Sequence, residues 1–400
     1  MPEEVIAVMP YEEIPFMHWG VITRYNFSKE KARYVPRKRW DPLTSVEIRL
    51  YDEVSRVLIP IGKKRGHFSY ISPIRGRRPQ ASKHTGQLPD VFEDILAGKD
   101  YAIFVALDDK RAESPFSVQP TMMRINGYSA VTIINRYPAM IRYLEESIRD
   151  EVKRLVEDPY TRIAYGVNLI TFPTKFSETL SDVTRDSLAA MLKSMIAAIS
   201  YCVEEARKLG VHLIPVYPFF NIGYMAGASQ RRLHAQVYID LNMDGHGALM
   251  ENILQAFEDQ KRAGSCHLCT SKHEGRVVYE NSRWIVWATS SPRRNYHLRL
   301  ATKRHVARIT DLDAREVQDL ADALIVVSRA LDRLGVSKDR NVLFYSNPYG
   351  YGSFFHLFID FIPFERIGGV ELLDSCRVAR YAPEEIAEML RKAVAEEAGG

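Results

Sequence analysis

Residues 355–363 read Phe-His-Leu-Phe-Ile-Asp-Phe-Ile-Pro, a run of strand formers with one imidazole, His356, set inside it. A strand this apolar is expected to be buried, and a buried imidazole without a partner is costly. Cys266-His-Leu-Cys269 offers partners, because a Cys-x2-Cys knuckle commonly opens a tetrahedral zinc site of cysteine and histidine ligands. The candidate histidines are His267, His273, His297, His305 and His356. His267 points out of its own knuckle, and His273 would close a very tight loop. His305 follows the strand end Leu300-Ala-Thr-Lys-Arg-His305, so His305 and His356 stand beside Cys266 and Cys269 as candidate ligands of a structural zinc, with His297 also open. Cys202, on an apolar helical stretch, and Cys376, standing alone, read as packing residues.

Outward from that stretch the pattern is one of strands around a long helix. Strands are expected near Val277-Val-Tyr279, Trp284–Trp287 and Tyr296–Leu300, and a helix over 313–334, opened by the capping sequence Thr310-Asp-Leu-Asp. Two strands follow, 341–345 and 354–361, and the helix 383–397 comes last. The same order is expected earlier in the chain. Strands at 100–106 and 130–135 precede a charged amphipathic helix over 140–157, then a strand 165–172 stopped by Pro173. A long helix over 186–209, ended by Gly210, leads to strands 213–217 and 234–239. This is a tandem α+β repeat. The expected units are an N-terminal arm or lobe (1–95), a first unit (96–245) and a second (264–400), with 244–265 as a bridge.

Four hundred residues allow two to three domains. The composition, 46% hydrophobic and 26% charged, is that of a globular protein. No apolar run is long enough to predict a transmembrane helix, and the acidic, proline-interrupted beginning does not resemble a signal peptide. A cytoplasmic location and no membrane partner are the expectation. The formal charge is only +4, and the clusters Lys63-Lys64-Arg65, Arg75-Gly-Arg-Arg78 and Arg293-Arg294 are too short to predict a nucleic-acid partner.

The Cys-x2-Cys knuckle, Val278-Tyr-Glu-Asn281, Thr302-Lys-Arg-His305-Val and Phe355-His356-Leu-Phe358-Ile-Asp360 together resemble the histidine-triad fold. The resemblance implies that Cys266, Cys269, His305 and His356 hold the zinc. It also places Phe358 where the nucleophilic histidine stands, which implies a catalytically silent second unit. In the first unit the matching stretch is Gly227-Ala-Ser229-Gln-Arg-Arg232-Leu-His234-Ala-Gln236, which resembles the active-site motif of the galactose-1-phosphate uridylyltransferases. Ile74-Arg75-Gly-Arg-Arg78 resembles that family's phosphate-binding arginine segment, Asn135-Arg-Tyr-Pro-Ala139 its nucleoside segment, and Glu371 its sugar-contacting glutamate. The family's first active-site histidine is Arg232 here, its glutamine at the sugar corresponds to Arg377, and its N-terminal knuckle to Phe104-Val-Ala-Leu107.

What the resemblance implies is a nucleotidyltransferase with two tandem histidine-triad-like units. His234 would be the nucleophile, with Gln236 and Ser229 as donors to the phosphate. Arg75, Arg78, Asn135, Gly227, Arg232, Glu371 and Arg377 would bind substrate, with Arg232 alternatively forming a salt bridge in place of a lost metal. The chemistry is coherent: a neutral imidazole attacks phosphorus, and the leaving sugar phosphate is already a stable anion, so no general acid is needed. A backbone carbonyl on the other ring nitrogen would set the tautomer. The partners implied are a nucleotide-sugar and a sugar phosphate, and by analogy a homodimer. A nucleotide-sugar or dinucleotide phosphorylase is the near alternative, and a non-catalytic nucleotide sensor the distant one.

Overall fold

The computed structural model describes residues 21–22, 25–28, 33–36, 41, 46–52, 68–77, 90–97, 104–107, 111–113, 127–144, 146–352, 354–374 and 376–399. Its centre is an antiparallel sheet of eleven strands shared by both halves of the chain. The first half contributes β3 (Phe104–Leu107), β4 (Arg111–Glu113), β5 (Ala130–Ile134), β7 (Gly166–Pro173), β8 (Val216–Ile222) and β9 (Ala235–Asp240). The second contributes β10 (Val277–Glu280), β11 (Trp284–Ala288), β12 (Leu298–Thr302), β13 (Arg340–Tyr345) and β14 (Phe358–Pro363). The order across the sheet is β10-β11-β12-β14-β13-β8-β9-β7-β5-β3-β4. The halves meet at β8 and β13, in the register Phe219↔Leu343 and Asn221↔Asn341.

That register makes the internal repeat explicit. One row across the sheet reads Ile133, Ile170, Gln236, Phe219, Leu343, Asp360, Arg299, Trp287. Gln236 and Asp360 stand at equal distance from the seam, so His234 corresponds to Phe358 and Arg232 to His356. Alternation along each strand then divides two faces. Val167, Leu169, Ala235, Val237, Ile359 and Phe361 turn to the back, where the long helices α3 (Arg185–Lys208) and α6 (Ala314–Arg333) share one apolar core with them. His234, Gln236 and Asp360 therefore face the front. Each helix begins as its sequence demands: Thr184 Oγ1 accepts from the Ser187 N–H, and Asp313 with Glu316 forms a capping box. By length and hydropathy α3 could cross a bilayer, but it is the core helix of the first half.

Several expected elements changed. The predicted helix over 140–157 contracts to α2 (Arg149–Lys153) with a 3-10 turn on either side. Its first turn is unavailable because Asn168 Oδ1 accepts from the Ala139 and Met140 N–H groups, at 2.6 and 3.2 Å, and Ile141 bridges to Tyr165. The strand expected to end at Tyr217 runs through Pro218 to Ile222, and His356 lies just ahead of β14 rather than inside it. The supposed bridge 244–265 contains a helix, α4 (Ala248–Arg262), laid on the front of the second half.

Of the N-terminal lobe, a small sheet is described: β1 (Ile48–Tyr51) between β2 (Phe68–Ile71) and β6 (Thr161–Ile163). Buried Arg49 fastens it to the end of β9. Its guanidinium pairs with Asp240 and, at 2.9 Å, with Asp244, and lies over the Phe68 and Tyr70 rings. This docking carries the turn Pro73–Arg77 to the front face.

Candidate active site and metal site

A front-face pocket of about 120 Å³ opens in the first half. Val91, Phe92 and Ile95, from the segment around α1 (Glu93–Leu96), and Ile133 and Ile170 from the sheet give it apolar walls. Asn135, Ser229, His234 and Gln236 supply its polar groups. These four were expected together from the sequence; Arg136, Tyr137 and Gln230, which also line the pocket, were not. His234 is 2% exposed. Its Nδ1 lies 2.8 Å from the Arg232 carbonyl, which can only accept, so Nδ1 carries the proton and Nε2 the lone pair. Gln236 follows on the same face, and Arg75 reaches that face by donating to Tyr238 Oη at 3.0 Å. Asn135 Oδ1 accepts from the Tyr137 N–H at 2.9 Å, closing a turn at the pocket rim.

Gly227 does not line the pocket. It holds φ +92° in the turn before Ser229, a conformation that L side chains resist, and that turn is tied to the second half where Asn341 donates to the Ala226 carbonyl. Arg232 is also absent from the pocket wall: it is 3% exposed and engaged by Asp90 at 2.6 Å and Glu93 at 2.6 Å, the salt-bridge alternative. Glu371, on α7 (Gly369–Asp374), pairs with Arg377, which also donates to Glu365 at 2.6 Å; neither lines this pocket. Arg78 lies outside the described residues.

In the second half Cys266, Cys269, His305 and His356 bring one ligand atom each within 4.8 Å of the others. Cys266 Sγ and Cys269 Sγ are each 3.4 Å from His356 Nδ1, and Cys269 Sγ is 3.3 Å from His305 Nδ1. A tetrahedral ion with metal–sulfur bonds of about 2.3 Å and metal–nitrogen bonds of about 2.0 Å sets neighbouring ligands roughly 3.3–3.8 Å apart, so the four donors fit one. His356 Nε2 lies 3.1 Å from the Thr302 carbonyl, which orients the ring with Nδ1 toward the sulfurs. Burial and the neighbouring His305 lower His356 to about 4, so it is neutral at pH 7, as a ligand must be.

The front face beside this cluster is filled. Phe358, in the place of His234, stacks on Tyr345 at 4.5 Å, and Phe257 of α4 packs on Phe355 at 4.5 Å. Asp360, in the place of Gln236, is held by Arg299 at 2.6 and 3.0 Å and lies 3.3 Å from His297. Those partners occupy its carboxylate.

Two antiparallel units of this order, joined edge to edge with corresponding sites on one face, define a tandem histidine-triad fold. Residues 262–365 match the family described as scavenger mRNA decapping enzyme C-terminal binding. A galactose-1-phosphate uridylyltransferase of Thermotoga maritima is 25% identical over 215 residues, which span 50% of this chain and 68% of that protein. A solved uridylyltransferase mutant is 24% identical, with a TM-score of 0.59 over 68% of this chain and 91% of its own. The solved ADP-glucose phosphorylase of Arabidopsis thaliana, with bound ADP-glucose, is 19% identical, with a TM-score of 0.58 over 88% and 97%. By these likenesses the chain is similar to galactose-1-phosphate uridylyltransferases and shares their fold.

Proposed function

We propose that this protein is a nucleotidyltransferase that moves a nucleoside monophosphate from a nucleotide-sugar to a sugar 1-phosphate through a nucleotidyl-His234 intermediate. The observation that carries the reading is the His234 ring itself, fixed by the Arg232 carbonyl with its nucleophilic nitrogen defined, on the wall of a pocket that also holds Ser229, Gln236 and Asn135. The likeness to a galactose-1-phosphate uridylyltransferase supports it. Nε2 attacks the α-phosphorus, the phosphorus–oxygen bond to the sugar phosphate breaks, and its electron pair leaves with that anion. The acceptor phosphate then displaces the imidazole by the same path. The Gln236 amide and the Ser229 hydroxyl donate to the non-bridging oxygens, and Arg75 offsets charge from the neighbouring strand face. Asn135 contacts the nucleoside against the apolar walls.

The second half serves as scaffold in this reading. Phe358 cannot attack phosphorus, and the cysteine–histidine cluster, which we assign to zinc, staples the knuckle to β14. Incubation with UDP-glucose or ADP-glucose should add the mass of one nucleoside monophosphate, and His234→Ala should abolish the adduct. Discharge by a hexose 1-phosphate supports the transferase; discharge by orthophosphate alone would make the enzyme a phosphorylase. Ligand binding without an adduct under any condition would refute covalent catalysis.

A further inference from the structure

The metal site of the second half has a counterpart in the first, built from different chemistry. Arg232 corresponds to His356 by sheet register. Ile170 and Arg299 occupy one row, and six residues beyond them stand Phe176 and His305. Asp90 and Glu93 repeat the x2 spacing of Cys266 and Cys269 at the start of a short helix, α1 in one half and α5 (His267–Thr270) in the other. Arg232 thus takes one of the four metal-ligand positions, and the other three have their counterparts around it in Asp90, Glu93 and Phe176. Its Nε donates to Asp90 at 2.6 Å, an Nη to Glu93 at 2.6 Å, and the guanidinium lies 5.2 Å from the Phe176 ring centre. Even the outer contact is kept: the carbonyl of Pro173, which ends β7 as Thr302 ends β12, accepts from Arg232 at 2.9 Å. Phe104–Leu107, which the family resemblance sets at a first-half knuckle, forms strand β3, within the strand expected over 100–106.

We infer that the guanidinium of Arg232 replaces a metal ion here, and that this charge cluster is the positioning device for the nucleophile, resting on the function proposed above. Two carboxylates stand for two thiolates, one fixed cation for the ion, and a ring face for an imidazole. The consequence reaches His234 by two short paths. The carbonyl that receives its Nδ1 proton is that of Arg232, whose side chain donates four hydrogen bonds, one each to Asp90, Glu93, Pro173 and Thr174. The residue between the two carboxylates, Phe92, lies 5.8 Å from the His234 ring and 4.3 Å from Phe172, so the same clamp holds a pocket wall against the imidazole. Unlike a metal site, the cluster has no exchangeable part, and it holds no ion for a chelator to remove.

The test compares Arg232→Lys, Arg232→Met and the neutralised triple variant Asp90→Asn/Glu93→Gln/Arg232→Met. Each is screened first for parental folding by circular dichroism, and the triple variant stands in if isolated carboxylates unfold Arg232→Met. The rate constant of adduct formation with UDP- or ADP-glucose should fall at least tenfold in the methionine variants, with nucleotide-sugar affinity changed less than threefold. Arg232→Lys should recover part of the rate. Adduct formation at parental rate in folded methionine variants would overturn the inference. Should the parent form no adduct, the enzyme reading fails separately; the inference is then read from the ¹⁵N spectrum of His234. A single Nδ1–H tautomer in the parent, becoming mixed in the folded variants, supports it, and an unchanged spectrum refutes it.

Discussion

Asp360 shows how one residue can hold an ancestral position and serve another purpose. It sits where the first half keeps Gln236, fully buried, with Arg299 and His297 against it. Burial alone would raise its carboxyl, but the His297 and Arg299 partners outweigh that and hold it below the usual carboxylate range. A depressed folded-state value means that the stabilisation is complete above the unfolded value, about 3.9, and drains away as pH falls from there toward the folded value. Asp360→Asn should therefore cost about 2–4 kcal/mol at pH 7, because it leaves half-buried Arg299 without its carboxylate partner. The gap to the parent should narrow as pH drops from about 5 toward 2, read from urea midpoints across that range. A gap independent of pH would mean that the carboxylate charge contributes nothing. At this scale the Cys-x2-Cys knuckle was legible from its spacing, and His234, Ser229 and Gln236 from the likeness of 227–236 to a known motif, with residues two apart on a strand sharing a face. Asp90 and Glu93 were not found, because nothing in the sequence points from an acidic pair to an arginine some 140 positions away. Their x2 spacing was the available signal.

Helix α4 is the element that the sequence undersold. Met250, Ile253, Leu254 and Phe257 recur at helical spacing and face the second half, yet glycines at 245, 247 and 264 made the segment read as a connection. Its role is to cover the front face of the second half. Phe257, 6% exposed, packs on Phe355 and Phe358. Phe257→Ala should cost about 3–5 kcal/mol by cavity formation, measured by urea unfolding. The rate of His234 adduct formation in the remaining folded protein should stay at the parental level; a matching loss of both would tie α4 to the active half. The opposite error, the overlong helix at 140–157, has the reverse cause. Its periodicity was real, but side-chain capture by Asn168 and pairing with Tyr165 claimed the backbone of its first turn, and these partners lie far along the chain.

For the whole molecule the decisive feature is the continuity of the sheet through β8 and β13. The tandem arrangement was legible because each half repeats strand, helix and strand in one order; the seam was not, because edge pairing between halves leaves no periodic mark. Metal loss should consequently be felt by the entire sheet. Cys266→Ser should lose its bound zinc by metal analysis and lower a single thermal transition by about 5 °C or more, rather than splitting it in two. Full metal content in that variant would remove the site. The seam also bears on what either half could do alone. In the intact chain β8 and β13 are interior strands, each the edge strand of its own half and each covered by the other. Released from its neighbour, either half would present a row of unpaired amides and carbonyls along an apolar border, the kind of edge that recruits another chain. Duplication in this architecture is therefore a form of protection against aggregation: each half is the other's shield, and a severed half would regain solubility by pairing antiparallel with a copy of itself.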